Sequence, residues 1–227
     1  MTNIQPGQAA FRAALQQIGT EAADRAWHHW QMLQLWQRQT NLTGVRGDDE
    51  ALKTLYLDAL VALPHWTQGA LLDVGSGAGF PGLVLAMARP QAPVTLVEPR
   101  RKRALFLQHA VRELRLRHVA VLQKTVERMP TTTLFNVITL RAVFSADTLL
   151  APLAELLKPR GRLLVFRRGP APHIERAGAL QRVAVHRYAI NDQHAITPCN
   201  EPDGRRLDEW AARKPGAAAA SARTPTA

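Results

Sequence analysis

Cysteine is nearly absent from this chain of 227 residues, which contains only Cys199. A single thiol excludes an intramolecular disulfide and a cysteine-based zinc site, and it suits a reducing compartment. Long apolar runs are missing as well, since none approaches the roughly 20 residues that span a bilayer, and no basic segment followed by an apolar run stands at the N-terminus. We therefore expect a cytoplasmic protein without a membrane partner.

Acidic residues are outnumbered, because 18 Asp and Glu stand against 29 Lys and Arg and the net charge is +11. The basic residues are also grouped along the chain. The groups are Arg100-Arg101-Lys102-Arg103, then Arg112, Arg115 and Arg117, then Arg167-Arg168. Solubility alone does not require such grouping, so the pattern favours a polyanionic partner whose phosphates the basic side chains contact.

A hydrophobic content of 46% in a chain of this length is enough for one substantial core. In the N-terminal part, apolar side chains recur at helical spacing, which predicts a helical cap over residues 1–66. We interpret Trp27 and Trp30 as core residues of this cap rather than as a base-stacking platform. His28 and His29 are adjacent on the same helix and diverge, so the sequence indicates no metal site.

From Ala70 onward, short apolar strands alternate with helical segments, which is typical of a parallel α/β sheet. We expect this core over residues 67–190. Its predicted elements are strand 70–75, helix 81–89, strand 93–98, helix 100–116, strand 118–122, strand 135–140, helix 146–157, strand 162–166 and strand 183–188. The remaining segment, 191–227, is expected to be irregular, to lack a final strand and to end in a disordered alanine-rich tail from about Arg213.

The most informative motif follows the first core strand and reads Asp73-Val74-Gly75-Ser76-Gly77-Ala78-Gly79-Phe80-Pro81-Gly82. Glycines at alternate positions let the backbone adopt positive φ and approach a ligand closely. Pro81 suits the first turn of a helix. The next strand closes with Glu98, so the motif predicts a βαβ unit with an acid at its tip, the arrangement of a nucleotide-like cofactor site.

Two cofactor classes fit this motif. The run from Gly77 to Gly82 satisfies the dinucleotide fingerprint, with an acid about 20 positions on. However, Phe80 and Pro81 leave few amide donors for a pyrophosphate, and the chain shows no constellation for a hydride acceptor. The pattern suits S-adenosylmethionine better, with the glycines along the methionine moiety and Glu98 accepting the ribose hydroxyls. A dinucleotide oxidoreductase is the rival from another class.

The chain resembles the bacterial small-subunit ribosomal RNA methyltransferase G family, also called glucose-inhibited division protein B, over roughly residues 30–169. The resemblance is carried by the glycine motif and by Trp36-Gln37-Arg38-Gln39-Thr40-Asn41-Leu42-Thr43, Leu57-Asp58-Ala59-Leu60, Lys102-Arg103-Ala104-Leu105-Phe106-Leu107, Val126-Glu127, Arg141-Ala142 and Arg168-Gly169. It implies a Rossmann-like S-adenosylmethionine-dependent methyltransferase sheet with an N-terminal helical cap. It also implies methyl transfer to N7 of one guanine in 16S ribosomal RNA, either naked or within the small ribosomal subunit.

The resemblance and the motif together define the candidate site. The expected cofactor contacts are Asp73, Gly75, Gly77, Gly79, Phe80, Glu98, Val126, Glu127 and Arg141. The expected RNA contacts are Arg100, Arg101, Lys102, Arg103, Arg168 and Asn41. Three of these have structural alternatives: Asp73 as a cap of the turn, Arg141 as a salt bridge that fixes the helical cap, and Asn41 as a turn or N-cap residue.

Methylation of guanine N7 requires no general base, because N7 carries an in-plane lone pair and no proton has to leave before attack. Catalysis is therefore expected to come mainly from in-line alignment of the reacting atoms. Arg168, just past a strand end, is the candidate to reach the guanine O6 edge, with a phosphate contact as its alternative. Arg141 is the second candidate for orienting the substrate.

The sequence departs from the family pattern in the cap and at the site. Leu55 stands where the family usually has histidine, and Ala59 where it has serine, so polar contacts are lost there. Arg168 replaces lysine and keeps the charge with a wider fork, while Glu98 replaces aspartate and keeps the carboxylate. These departures leave two alternatives open, a methyltransferase with another RNA substrate and a noncatalytic RNA-binding descendant. We expect a monomer.

Overall fold

The structure, a computed structural model, describes residues 5–141, 146–169, 174–201 and 204–212. Within these residues nine strands form one sheet. The strands are β1 (Leu71–Val74), β2 (Val94–Val97), β3 (Val119–Leu122), β4 (Phe135–Arg141), β5 (Leu157–Arg168), β6 (Arg176–Ala177), β7 (Leu180–Ile190), β8 (Ile196–Pro198) and β9 (Arg205–Ala212). The strand order is β3-β2-β1-β4-β5-β9-β7-β6, and β8 pairs with β7.

The first five strands are parallel, as the alternation of strands and helices predicted. Their continuous apolar character fits this pairing, because strands covered on both faces bury every side chain. In β1, for example, all four residues are buried. Parallel pairing places the carboxyl ends of β1, β2, β4 and β5 at one edge of the sheet, where ligands bind in open α/β folds.

Helices cover the sheet and build the cap. They are α1 (Pro6–Ala14), α2 (Thr20–Trp36), α3 (Asp48–Ala51), a π-helical segment (Leu52–Leu57), α4 (Asp58–Leu60), α5 (Gly82–Ala88), α6 (Arg101–Glu113) and α7 (Ala146–Ala154). Short 3-10 turns span Gln16–Ile18, Leu63–His65 and Val126–Arg128. No helix of the described chain is long and apolar enough to cross a membrane.

An aromatic cluster joins the cap to the sheet. The Phe11 ring packs edge-on against Trp27 and Tyr56, with centroid distances of 5.2 and 5.0 Å, and Tyr56 packs against Phe80 at 5.1 Å. Trp30 is fully buried. Trp27 and Trp30 are therefore core residues, as predicted, and Phe80 of the glycine motif belongs to the same core.

The expectation of an irregular segment without a final strand is wrong for residues 196–198 and 205–212, which form β8 and β9. There β9 pairs antiparallel with β5 on one side and with β7 on the other. The apolar pattern was hidden because Arg206 and Asp208 are both buried in this strand. The two side chains satisfy each other, since Arg206 Nε donates to Asp208 Oδ1 at 2.9 Å, so the strand tolerates charges that ordinarily signal a surface loop.

The predicted division at residues 66 and 190 remains a prediction. The alanine-rich tail from Arg213 lies outside the described residues.

Replacing Asp208 with alanine is expected to lower the free energy of unfolding by about 3 kcal/mol or more, because a buried guanidinium loses its charge partner. Arg206 contacts this carboxylate at 2.9 Å, and Arg167 Nε lies 3.3 Å from its second oxygen. Urea denaturation measures the change. Asp49→Ala is the matched control, because the Asp49 side chain pairs with Lys53 but is 65% exposed. Its loss should lower the free energy of unfolding by less than about 1 kcal/mol. Equal effects of the two substitutions would contradict a structural role for the buried pair.

Candidate functional site

Four of the predicted cofactor contacts line one cleft at the carboxyl edge of the parallel strands. They are Gly75, Gly77, Phe80 and Arg141, and the cleft encloses about 320 Å³. The cap supplies part of the opposite wall through Leu42, Thr43 and Leu55, and the start of α6 supplies Arg103. The cleft is therefore built between the sheet and the cap.

The glycine loop turns sharply into this cleft. Gly77 has a φ of +58°, a conformation that L side chains rarely adopt. A Cβ at Gly77 would make ordinary contacts at 3.8 Å with Arg103 and with the Gly75 carbonyl oxygen. At Gly82, by contrast, a Cβ would stand 2.5 Å from the Asp73 Cβ. Gly77 thus keeps the cleft floor open, while Gly82 allows α5 to pack directly on β1.

Glu98 follows β2 and holds the glycine loop. Its side chain is nearly buried, with Oε2 accepting from the Gly77 N–H at 2.9 Å and Oε1 accepting from the Arg100 N–H at 2.8 Å. A carboxylate has about four acceptor positions, so both oxygens can take a further donor. The predicted role of Glu98 as acceptor for ribose hydroxyls is compatible with these contacts.

Asp73 is fully buried beneath the loop. Its Oδ2 accepts from the Gly82 N–H at 3.2 Å, and its Oδ1 accepts from the Thr139 hydroxyl at 2.7 Å. Burial raises the pKa of Asp73 to about 6, and the hydrogen bond from Thr139 opposes that rise. Asp73 does not line the cleft, so its contacts support the alternative of a turn-capping residue, and its contact with the cofactor remains a prediction.

Arg141, at the end of β4, both contacts the cap and lines the cleft. Its Nη2 donates to the Thr54 carbonyl oxygen at 2.5 Å and lies 3.0 Å from Asp58 Oδ2. The Asp58 carboxylate also accepts from the Tyr188 hydroxyl at 2.8 Å. Arg141 therefore forms the salt bridge to the cap that was its alternative role, and it also lines the cleft.

Arg141 also lines a second cavity of about 300 Å³, which includes Arg168 and Tyr188. Arg168 is exposed at the end of β5. The end of this strand is fixed from the neighbouring strand β9, because Arg206 Nη1 donates to the carbonyl oxygens of Arg168 and Gly169. The two candidate substrate-orienting arginines thus share one cavity.

The other predicted residues, Glu98 among them, line neither of these two cavities. Val126 is buried in the sheet core, Glu127 is exposed in the 3-10 turn, and a Cβ at Gly79 would stand 2.9 Å from Leu83. Asn41 lines a third cavity of about 660 Å³ beside the loop that follows α2, which shares Thr43 with the loop cleft and is lined by residues with polar side chains. The remaining RNA candidates, Arg100, Arg101 and Lys102, are exposed around the start of α6.

His29 of α2 is a site residue that sequence reasoning missed. It is fully buried, with Nε2 3.0 Å from the Ala78 carbonyl oxygen and Nδ1 2.9 Å from the Tyr56 hydroxyl. Because a carbonyl can only accept, Nε2 carries the proton, and Nδ1 accepts from the tyrosine. Burial lowers the pKa of His29 to about 4. His29 thus connects the cap to the backbone of the glycine loop.

A signal for His29 does exist in the sequence. Ala22, Ala26, His29 and Leu33 are spaced four, three and four residues apart, which is the spacing of one helix face, and all four are buried. Because histidine is a polar residue, His29 was not counted among the apolar residues that define this helix face.

Replacing His29 with glutamine is expected to flatten the acid side of the stability profile. The unfolded chain takes up a proton near pH 6.5, whereas the folded chain resists until about pH 4. Stability from this group is therefore lost as pH falls through that window, by about 3 kcal/mol at most. Asp73 has a raised pKa, and the stability that it contributes is instead lost as pH rises through 6. To isolate the effect of His29, the quantity measured is the difference between the unfolding free energies of the variant and of the wild type at several pH values.

His28→Gln is the matched control, because His28 is exposed on the same helix. Its profile should run parallel to that of the wild type. A His29→Gln profile that also runs parallel would contradict the burial of a neutral histidine at this position.

Comparison with known proteins identifies the family. The family model described as rRNA small subunit methyltransferase G matches residues 24–198. A relative named Ribosomal RNA small subunit methyltransferase G from Xanthomonas axonopodis pv. citri is 36% identical and covers 74% of this chain and 79% of its own length. A second, from Methylobacillus flagellatus, is 33% identical over 74% of this chain and 83% of its own length.

The fold is also found among solved structures. A crystal structure of a SAM-dependent methyltransferase from Aquifex aeolicus superposes with a TM-score of 0.51 at 16% identity, covering 71% of this chain and 92% of the other. This likeness confirms the predicted fold class. Because the family model spans most of the chain and the two relatives align over most of their own lengths, this chain belongs to the rRNA small subunit methyltransferase G family.

Proposed function

We propose that the chain transfers a methyl group from S-adenosylmethionine to N7 of a guanine in 16S ribosomal RNA. Membership of the family makes the chain an S-adenosylmethionine-dependent rRNA methyltransferase, as predicted. The dinucleotide oxidoreductase and the noncatalytic descendant are not favoured. Four points remain predictions: that the substrate is 16S RNA, whether it is naked or within the assembled subunit, that the chain is a monomer, and that it is cytoplasmic.

One observation carries the proposal: Arg141 lines both the loop cleft and the neighbouring cavity that contains Arg168. The loop cleft fits the cofactor, because its floor is open at Gly77 and the nearby Glu98 carboxylate retains acceptor capacity for ribose hydroxyls. When bound, S-adenosylmethionine supplies a methyl group on a positively charged sulfur. We assign the target guanine to the second cavity, so that the two reactants meet at Arg141.

The residues of the second cavity suit the guanine edge. Exposed Arg168 can donate to O6 while leaving N7 free. Arg141 is held by the carboxylate of Asp58 and by the Thr54 carbonyl, so its position does not depend on substrate. No side chain has to remove a proton, and the contribution of the chain is alignment of N7 with the methyl group and exclusion of water by Phe80 and Leu42.

The start of α6 supplies the RNA-binding charge. Its first turn carries Arg101, Lys102 and Arg103 and no acid, although the N-terminus of a helix disfavours cations. An anion at this position relieves the repulsion, since phosphate groups bind helix N-termini and basic side chains together. Arg103 reaches the cleft itself, so the bound RNA backbone would run directly past the cofactor.

The function is tested by transfer of radiolabelled methyl from S-adenosylmethionine to 16S RNA and to purified small subunits, with the labelled nucleoside identified. We expect label in 7-methylguanosine, and loss of label in Gly77→Val, because valine cannot readily adopt the φ of +58°. Gly47→Val is the control, since Gly47 has extended backbone and open space around its Cβ. Label in another nucleoside, or none despite S-adenosylmethionine binding, would overturn the proposal.

Replacing Arg101 and Arg103 together with alanine should weaken RNA binding and flatten its salt dependence. Each phosphate contact contributes about 0.7 to 0.9 to the slope of log affinity against log salt, so the slope should decrease by about 1.5. Filter binding at several salt concentrations measures it. The double variant Arg112→Ala with Arg117→Ala removes the same charge near the other end of α6, where Arg112 contacts Glu113 at 3.2 Å. Equal losses in both double variants would contradict a localised phosphate site.

A further inference from the structure

A cluster of two histidines and one carboxylate lies outside both cavities of the site. His65 ends the last 3-10 turn of the cap, His186 lies on β7 and Glu209 lies on β9. Their ligand atoms all lie within 4.8 Å of one another, and among the described residues this is the one group of three such side chains that could hold a metal ion. Sequence reasoning gave no metal site, because the three residues are separated by more than 20 positions in every pair.

The distances within the cluster approach those of a coordination shell. Glu209 Oε2 lies 3.2 Å from His65 Nδ1 and 2.9 Å from His186 Nε2. In a tetrahedral zinc site with bonds of about 2.0 to 2.1 Å, neighbouring ligand atoms are separated by about 3.3 Å. Two of the three ligand-atom distances are therefore close to the spacing of a metal-ligand set, and the third, between the two histidines, lies within 4.8 Å.

The chemistry of the donors also matches a metal site. Glu209 Oε2 faces a ring nitrogen of each histidine, so the three donor atoms are already directed at one another. The other carboxylate oxygen, Oε1, accepts from Arg162 Nε at 2.8 Å. Such an outer partner orients a ligating carboxylate and leaves one oxygen for the metal. The side chains of His65 and Glu209 are 20% and 14% exposed, so a small ion can enter without unfolding.

We propose that His65, His186 and Glu209 bind a divalent transition-metal ion of the Zn²⁺ class, with water completing a four-coordinate shell. Two imidazoles and one carboxylate are ligands that zinc accepts. None of the three residues lines the loop cleft or the Arg168 cavity. A bound ion would tie the end of the cap to the antiparallel half of the sheet.

The test uses the full chain, freed of metal with a chelator and titrated with Co²⁺, whose visible absorption reports tetrahedral coordination. We expect one Co²⁺ per chain, displacement by Zn²⁺, and a rise in Tm with Zn²⁺. Trp66 and Trp210, each beside a ligand and fully buried, should lose fluorescence when Co²⁺ binds. Absence of saturable binding at one equivalent would overturn the proposal and leave the cluster as a set of hydrogen bonds.

Variants locate the bound ion. His65→Gln and Glu209→Gln should each weaken Co²⁺ affinity at least tenfold, while His194→Gln should leave it unchanged, because His194 pairs with Asp49 outside the cluster. Equal affinity in wild type and His65→Gln would place the ion elsewhere and refute the proposal. Should a variant fail to fold, the wild-type chain is treated with diethyl pyrocarbonate with and without zinc, and modification of His65 and His186 is measured on peptides. We expect zinc to protect both histidines. Unprotected histidines at saturating zinc would exclude them as ligands.

Discussion

The shape of the site depends on buried polar contacts between the helical cap and the carboxyl edge of the sheet. His29 donates from Nε2 to the Ala78 carbonyl in the glycine loop, and Arg141 at the end of β4 contacts Thr54 and Asp58 of the cap. Both connections cross from one wall of the cleft to the other. Apolar packing could hold the layers together at many offsets, whereas these hydrogen bonds fix the offset because a mismatched buried donor or acceptor is costly.

The same contacts explain why charges persist so near the core. Asp58 is nearly buried, yet its carboxylate accepts from Tyr188 and stands within 3.0 Å of Arg141. Removing a single partner would leave a buried charge uncompensated. Around Asp58 the cavity wall carries an excess of positive charge, from Arg141, Arg167, Arg168 and Arg205. Of these, Arg168 is exposed at the end of β5, where a ligand can reach it.

Local patterns in the sequence predicted the parallel core well, since β1, α5 and β2 each follow from a short run of apolar residues or glycines. They failed where a partner lies far along the chain. His29 meets Tyr56, 27 residues away, and Ala78, 49 residues away. Strand β9 was concealed for a different reason. Arg206 and Asp208 are only two residues apart, and the sequence pattern shows both charges but not that they are buried against each other.

Strand β9, which the sequence pattern did not reveal, supports Arg168, which the sequence analysis named as a candidate site residue. Arg206 of β9 donates to the carbonyl oxygens of Arg168 and Gly169, and Asp208 holds Arg206 through the buried pair. The direction in which Arg168 leaves the end of β5 is therefore set by a neighbouring strand rather than by β5 itself. Under the proposed assignment of Arg168 to the guanine edge, alignment rather than proton transfer is what methylation of N7 demands. A small shift of β9 would then reduce turnover without removing the group that is proposed to contact the guanine.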